Sequence, residues 1–364
     1  MATQQIRHVV THLLTPLLMC LGMGLAYLGA FHQPEPNHLG LAVVGDSAQV
    51  KVLAQTLKDN GGNALDIITL PTRDDAVGQL RHRDLAGAFV PDAQHPELLV
   101  AKAGSDTTAM AAEAVFDRVT AQQGVPLTIT DITTPASGDP TAQGIFFLLV
   151  ALSIGSYGSV AAIGAAGAGL SIWVRGLIGL VTSLLVSLIG VALSGPIFHV
   201  VDHDNAAIWA MSWLYSAGIL TIGIGLHTFL QRWTTLALMV LFVMLNFTSS
   251  GGVYTPWLQN GFFGSLHSFW NGAGFVEGAR SLLYFDSNGF GSRLSSLFAW
   301  LAVGIVLMIA AGFAEKRRAA TASAGPRHAA PIEPAPIEPA PAATAAPIET
   351  EEQAEAEMEE TVGV

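Results

Sequence analysis

Six stretches almost free of charge divide the chain: residues 9–31, 142–163, 176–199, 208–230, 233–250 and 295–314. At 1.5 Å of rise per residue, a helix of about 20 residues covers a hydrocarbon core of ~30 Å. Core helices of soluble proteins are usually shorter and carry a polar face, so the recurrence of such runs predicts membrane helices. The first run follows Arg7 and His8. It is longer than the ~7–15 apolar residues of a signal peptide, so a retained anchor helix over residues 1–31 fits better than a cleaved leader.

Between the first and second runs the pattern changes to short apolar strands alternating with amphipathic helices. Leu39–Val44, Leu65–Leu70, Leu85–Val90 and Leu127–Ile132 read as strands, with Leu98–Ala101 as a further candidate. Asp46 or Ser47 can cap a helix whose apolar face is Val50, Leu53, Ala54 and Leu57, ended by Gly61-Gly62; a short side-chain oxygen accepts a bond from the free N–H groups of a first helical turn. Asp74–Arg81 forms a short helix with Ala76, Val77 and Leu80 inward. Asp106 or Thr107 opens another with Ala112, Val115, Phe116 and Val119 on one side. Such alternation implies a parallel or mixed sheet with one modest core, so residues 32–141 are expected to form a small α/β domain. Gly45-Asp46 resembles a phosphate-binding turn, but no G-x-G-x-x-G follows, and an ordinary strand-to-helix turn is the better reading.

Residues 142–318 then carry five of the runs. In the second run Gly155, Ser159, Gly164 and Gly167 form a series of small residues, which let helix backbones approach closely. They suit either a seam between two subunits or packing within one bundle. Asn246, Thr248 and Ser249 are the most polar patch in any run and are expected to bond a neighbouring helix. Residues 251–293 are glycine- and aromatic-rich, as membrane interfaces favour, and predict a re-entrant or interfacial helical hairpin. Its second helix would bury Phe275, Val276, Ala279, Leu282 and Leu283, with Glu277 and Arg280 pointing elsewhere, one helical turn apart.

Charge sets the orientation. Only 12% of the 364 residues are charged, against about 25% in soluble domains. The net charge of −12 is concentrated in residues 32–141 and in the tail from 319, where Arg327 stands against nine Glu. A basic face for nucleic acid is therefore absent. With the N-terminus in the cytoplasm, Arg7, Arg175, Arg232 and Lys316-Arg317-Arg318 all fall on the cytoplasmic side, as the positive-inside rule requires, and residues 32–141 fall outside. Both termini are then cytoplasmic in a bacterial-type inner membrane. The tail 319–364, Ala/Pro/Glu-rich with a repeated PIEPA, is expected to be disordered.

Candidate chemistry is sparse. Cys20 is the only cysteine, which excludes an internal disulfide and a cysteine metal cluster; it is expected as a buried apolar residue. His82 and His95 are isolated. His199, Asp202, His203 and Asp204 match no closed metal site, and a solvated loop is the default. No buried Asp, Glu or Lys stands midway in a run, which argues against a proton relay. Neither a cofactor site nor a convergent nucleophile, base or metal set is present, so the chain is not expected to be an enzyme. A P-loop needs a lysine after glycine; Lys51, Lys58, Lys102 and Lys316 all lack one.

The layout resembles the membrane subunits of ABC type-2 exporters, in particular the phage-infection-protein-like branch. The local likeness lies in Leu41-Ala42-Val43-Val44, in Ser249-Ser250-Gly251-Gly252-Val253-Tyr254-Thr255-Pro256, and in Glu277-Gly278-Ala279-Arg280-Ser281-Leu282-Leu283-Tyr284-Phe285. The family's loop usually carries further prolines, where Asn260 and Asn271 stand here. The resemblance implies six transmembrane helices with an extracytoplasmic α/β insertion. It implies a permease that moves an amphipathic solute, lipid or drug, pairs with a second permease copy or relative in the lipid bilayer, and is driven by a separate ATPase. The cytoplasmic loop 164–175 with Arg175 would be the coupling loop, and Glu277 and Arg280 would mark the helix before the last span. The alternative is an envelope interaction protein whose α/β domain binds a partner or phage without transport.

Overall fold

The computed structural model describes residues 2–323. A helix over Ala2–Phe31 (α1) leads into a five-stranded sheet of order β2-β1-β3-β4-β5. The strands are Leu39–Val44 (β1), Leu65–Leu70 (β2), Gly87–Val90 (β3), Glu97–Val100 (β4) and Thr128–Asp131 (β5). All neighbours run parallel except β3 and β4, which form a hairpin in the register Gly87↔Val100 to Val90↔Glu97. The sheet is therefore mixed.

Helices Ala48–Gly61 (α2), Arg73–His82 (α3) and Asp106–Gln123 (α4) cover both faces. Alternation along β1 directs its residues: Leu39, Leu41 and Val43 pack with Val50, Ala54, Ala112 and Phe116 under α2 and α4, while Ala42 and Val44 meet Ala76 and Leu80 of α3. Because both faces are covered, all six residues of β1 are buried. Ser47, Thr72 and Ser105 cap the three helices, each accepting from the backbone N–H three residues on. Ser47 thus takes the role for which Asp46 was the other candidate. Gly45 holds φ at +126° at the turn after β1, a conformation that glycine adopts without penalty.

The helical part comprises Gly144–Ala166 (α5), Ile172–Ala192 (α6), Asn205–Leu230 (α7), Thr234–Met239 (α8), Leu245–Ser249 (α9), Gly261–His267 (α10), Asn271–Tyr284 (α11) and Phe290–Ser323 (α12). A π turn over Leu193–Ile197, holding Pro196, ends α6, and a second over Val240–Met244 joins α8 to α9. Five stretches are long and apolar enough to cross a membrane: Gln5–Phe31, Gly144–Ala166, Ile172–Ile197, Asn205–Ser249 and Phe290–Thr321. Their outward faces carry large apolar side chains, among them Leu17, Leu21, Leu25, Trp173, Leu177, Ile189, Val306 and Phe313. A continuous apolar exterior of this kind is what a helical membrane protein presents.

The stretch Asn205–Ser249 is not one straight rod. At Gln231, φ is +46° and the chain turns back through Gln231–Trp233. As a result the Tyr215 hydroxyl lies 2.6 Å from Asn246 Nδ2, whereas 31 residues of straight helix would separate them by about 46 Å. Helix α1 packs on α9 and the π turn before it through Gly22, Ala26 and Ala30, small residues at every fourth position, with Met244 seated against Gly22.

Two expectations need correction. Cys20 is exposed on α1, because α1 packs inward along one side, with Gly22, Met23, Ala26, Tyr27 and Ala30, and leaves the other side facing outward. The last helix does not stop near residue 318 but continues to Ser323; the Ala-Ala-Thr-Ala run after Arg318 contains no helix-breaking residue. The rest of the expected disordered tail, 324–364, lies outside the described residues. Residues 1–319 form one compact unit, and of the second, 320–364, only the final helical residues are described.

Candidate functional site: a buried charge network at the seam

Within the first unit, the α/β layer meets the helical part along the loop 250–259 and helix α11. Asn37 donates its backbone N–H to the Trp257 carbonyl at 2.8 Å and its side-chain amide to the Gln259 carbonyl at 3.2 Å. Thr107 donates to the Val253 carbonyl at 2.9 Å, and the Thr108 and Thr255 hydroxyls lie 2.8 Å apart. Trp257 packs against the sheet core.

The centre of this seam is charged. Arg83 follows α3 in the left-handed conformation, φ +63°, where a helix end more often uses glycine. A non-glycine residue there costs about 1 kcal/mol, and the side chain offsets it by reaching across the seam. Its Nη1 donates to Glu277 Oε2 at 2.7 Å, and its Nη2 to the Ser281 hydroxyl at 2.6 Å and the Asn288 carbonyl at 3.2 Å. The guanidinium stacks 5.1 Å from the Phe285 ring centre. Glu277 Oε1 in turn accepts from Arg280 at 3.1 Å, and Arg280 Nη1 also donates to the Gly251 carbonyl at 2.8 Å. Gly251 has φ +77°, and a Cβ there would stand 2.7 Å from the His267 ring and 2.8 Å from Glu277 Oε1. The backbone must pass this close for its carbonyl to meet Arg280, so only glycine fits. His267 Nδ1 lies 3.0 Å from the Ser249 carbonyl, which makes it the protonated ring nitrogen.

Electrostatics follow from this geometry. Burial alone would raise the Glu277 carboxyl, but the Arg280 and Arg83 guanidiniums beside it overcome that and hold it below the usual carboxylate range. Burial lowers Arg83; Glu277 opposes this, and the like charges of Arg293 and Arg280 lower it further. Burial also pushes the His267 imidazole below its ordinary value.

Glu277 and Arg280 therefore do not point away from the packed face, as helical periodicity suggested. The whole of α11 from Asn271 to Ser281 is buried, its apolar side against α5 and α7 and its charged side against the 250–253 turn and Arg83. The helix is enclosed all round because it sits between two layers. Arg83 was invisible to sequence reasoning: the one local signal is a long cationic side chain where a helix end would take glycine.

The other expected site residues are placed as follows. Arg175 is not in a loop. Helix α6 begins at Ile172, capped by Ser171, and Arg175 lies buried in its first turn, ion-paired with Glu315 of α12. The Thr228 hydroxyl donates to the same Glu315 oxygen at 3.1 Å, and Arg318 donates to the Thr228 carbonyl at 3.1 Å. The helix starts this early because Ser171 caps it, which draws Arg175 off the exposed connector 168–171. The small residues of α5 pack within the chain: Gly155 faces Val186 of α6, Gly164 faces the His227 ring of α7, Gly167 lies against the Arg175 stem, and the Ser159 hydroxyl bonds the Gly155 carbonyl. Asn246 bonds Tyr215 and the Gly272 N–H, joining α9 to α7 and α11. His82, His95, His199, Asp202, His203 and Asp204 are exposed. Among the described residues no group of His, Cys, Asp and Glu is arranged to hold a metal ion.

No family model, curated protein or solved structure matches this chain.

Proposed function

We propose that the chain is the membrane-spanning half of an exporter for an amphipathic solute, lipid or drug, driven by a separate ATPase. In this reading the helices make six crossings. The 45 residues of Asn205–Ser249 would extend about 67 Å as a straight helix, twice the hydrocarbon thickness, and their reversal at Gln231 turns them into two. Both termini then lie in the cytoplasm with Arg175, Arg232 and Lys316–Arg318, and the α/β layer lies outside, as the positive-inside rule favours.

The observation that carries the reading is α11. A short helix bearing Glu277 and Arg280 is enclosed between the bundle and the α/β layer, and Arg83 ties it to that layer. Charges held in such a place cost stability relative to apolar packing and mark function by default. A bundle that changes shape would carry the outer layer with it through this link. ATP binding is assigned to another chain because none of the four lysines follows a glycine. The cytoplasmic contact for that ATPase is the connector 168–171, with Arg175 and Glu315 bracing the helices behind it.

The test is affinity purification of the intact protein from membranes. The expected result is an ATPase chain in fixed ratio, with ATP turnover that rises when an amphipathic substrate is added. A chain that purifies alone, whose activity vanishes on deletion of residues 38–134 while the helices still insert, would instead be an envelope interaction protein.

A further inference from the structure

Beside the charge network the seam holds a half-open cavity of about 380 Å³, within the range of small-molecule clefts. Its lining includes apolar and aromatic side chains, Leu85, Ala101, Trp257 and Phe285. It also includes the polar side chains Arg83, His267, Glu277, Ser292 and Arg293. The charges here do not balance. Three guanidiniums, Arg83, Arg280 and Arg293, act on one buried carboxylate, Glu277. Both of its oxygens are already taken, Oε2 by Arg83 and Oε1 by Arg280. Among the described residues Arg293 has no ion-pair partner. Asp84 also borders the cavity but is exposed, and Asp286 nearby is engaged by Arg81. A half-buried arginine that borders a cleft beside the like charge of Arg83 and, among the described residues, stands in no ion pair is a site for an anion.

We infer that this cavity binds the oxyanion of an amphipathic molecule, a phosphate monoester or a carboxylate. Arg293 meets the charge, a guanidinium fork being suited to two oxygens of one anion. Trp257 and Phe285 take the apolar body. The inference needs only the seam and holds whether or not the chain transports its ligand.

The test uses the full-length protein in lipid nanodiscs, with octyl phosphate, octanoate, octanol and inorganic phosphate as probes. Octyl phosphate or octanoate should raise the unfolding midpoint and bind at least about tenfold more tightly than octanol, the order of effect of a charge-assisted hydrogen bond. Arg293→Gln should weaken the anionic probe by about tenfold or more, leave octanol unchanged, and not lower the midpoint of the ligand-free protein, since the repulsion from Arg83 that it removes offsets the attraction to Glu277. Arg293→Lys should retain part of the binding, and Arg232→Gln all of it. Nanodiscs containing phosphatidic acid separate the sources of the anion: competition with octyl phosphate identifies a lipid headgroup, and its absence a free solute. Equal affinity for octyl phosphate, octanoate and octanol overturns the inference. So does unchanged anion binding in Arg293→Gln, or a loss of stability in that variant without ligand.

Discussion

Helix α12 joins two ion-paired clusters of different character. Arg293 near its start belongs to the seam with Arg83, Glu277 and Arg280; Glu315, some 33 Å along the helix, pairs with Arg175 at the other end. At the seam the carboxylate side chain is 10% exposed and Arg280 1%, and the charges come from the end of α3 in the α/β layer and from α11 and α12 in the helical part. At the far end Glu315 is 30% exposed, and the pair links α6 and α12 beside Thr228 of α7. Water can compensate the second carboxylate when its partner is lost, but not the first. The seam cluster therefore specifies how two layers fit, whereas the far cluster fastens neighbouring helices.

The largest effect should come from the centre of the seam. Glu277→Gln leaves Arg83 and Arg280 buried without a counter-charge and should cost about 3–5 kcal/mol, the range for breaking a buried pair. Graded unfolding in mixed micelles measures it. Amide hydrogen exchange should show α3 and α11 losing protection together; loss confined to α11 would mean that Arg83 does not couple the layers. Arg175→Gln is the comparable change at the far end and should cost about 1 kcal/mol, because the Glu315 it leaves behind is partly exposed and screened by water. If the two variants were equally destabilised, the contrast between the clusters would collapse.

The smallest effect is pH-dependent. His267 has its imidazole lowered from 6.5 by burial. The unfolded chain then takes up this proton at a higher pH than the folded one. Its contribution is whole above about pH 6.5 and declines as the pH falls. The unfolding midpoint should drop from about pH 7 to about pH 5, and His267→Gln should flatten that slope. Glu277 is also depressed, so its share disappears only at lower pH, below the ordinary carboxylate value of 4.5. A slope unchanged in His267→Gln would place the titrating group elsewhere.

Several parts of this architecture were legible along the chain. Strand β1 falls where the apolar run lies, because a strand covered on both faces has no polar position to blur its ends; β2, at the sheet edge, keeps its apolar Leu65, Ile67 and Leu70 inward. Ser47 and Gly62 bound α2 by local hydrogen bonding that needs no tertiary partner. Gly155 and Gly164 marked close helix contacts, although their spacing could not tell a partner subunit from α6 and α7. For Arg175 the local pattern misled, because the loop boundary depended on a serine cap and on a carboxylate 140 residues away.

Local chemistry thus determined which segments are helices, which are strands, and which surfaces must avoid water. These follow from hydrophobic periodicity and hydrogen bonds between residues close in sequence. Only the tertiary structure decided that α11 is enclosed on every side, that Arg83 crosses 194 residues of chain to reach Glu277, and that Arg293, in no ion pair among the described residues, borders a cavity. Charge pairing at a seam depends on distances in space between residues remote in the chain, and periodicity carries no record of those distances.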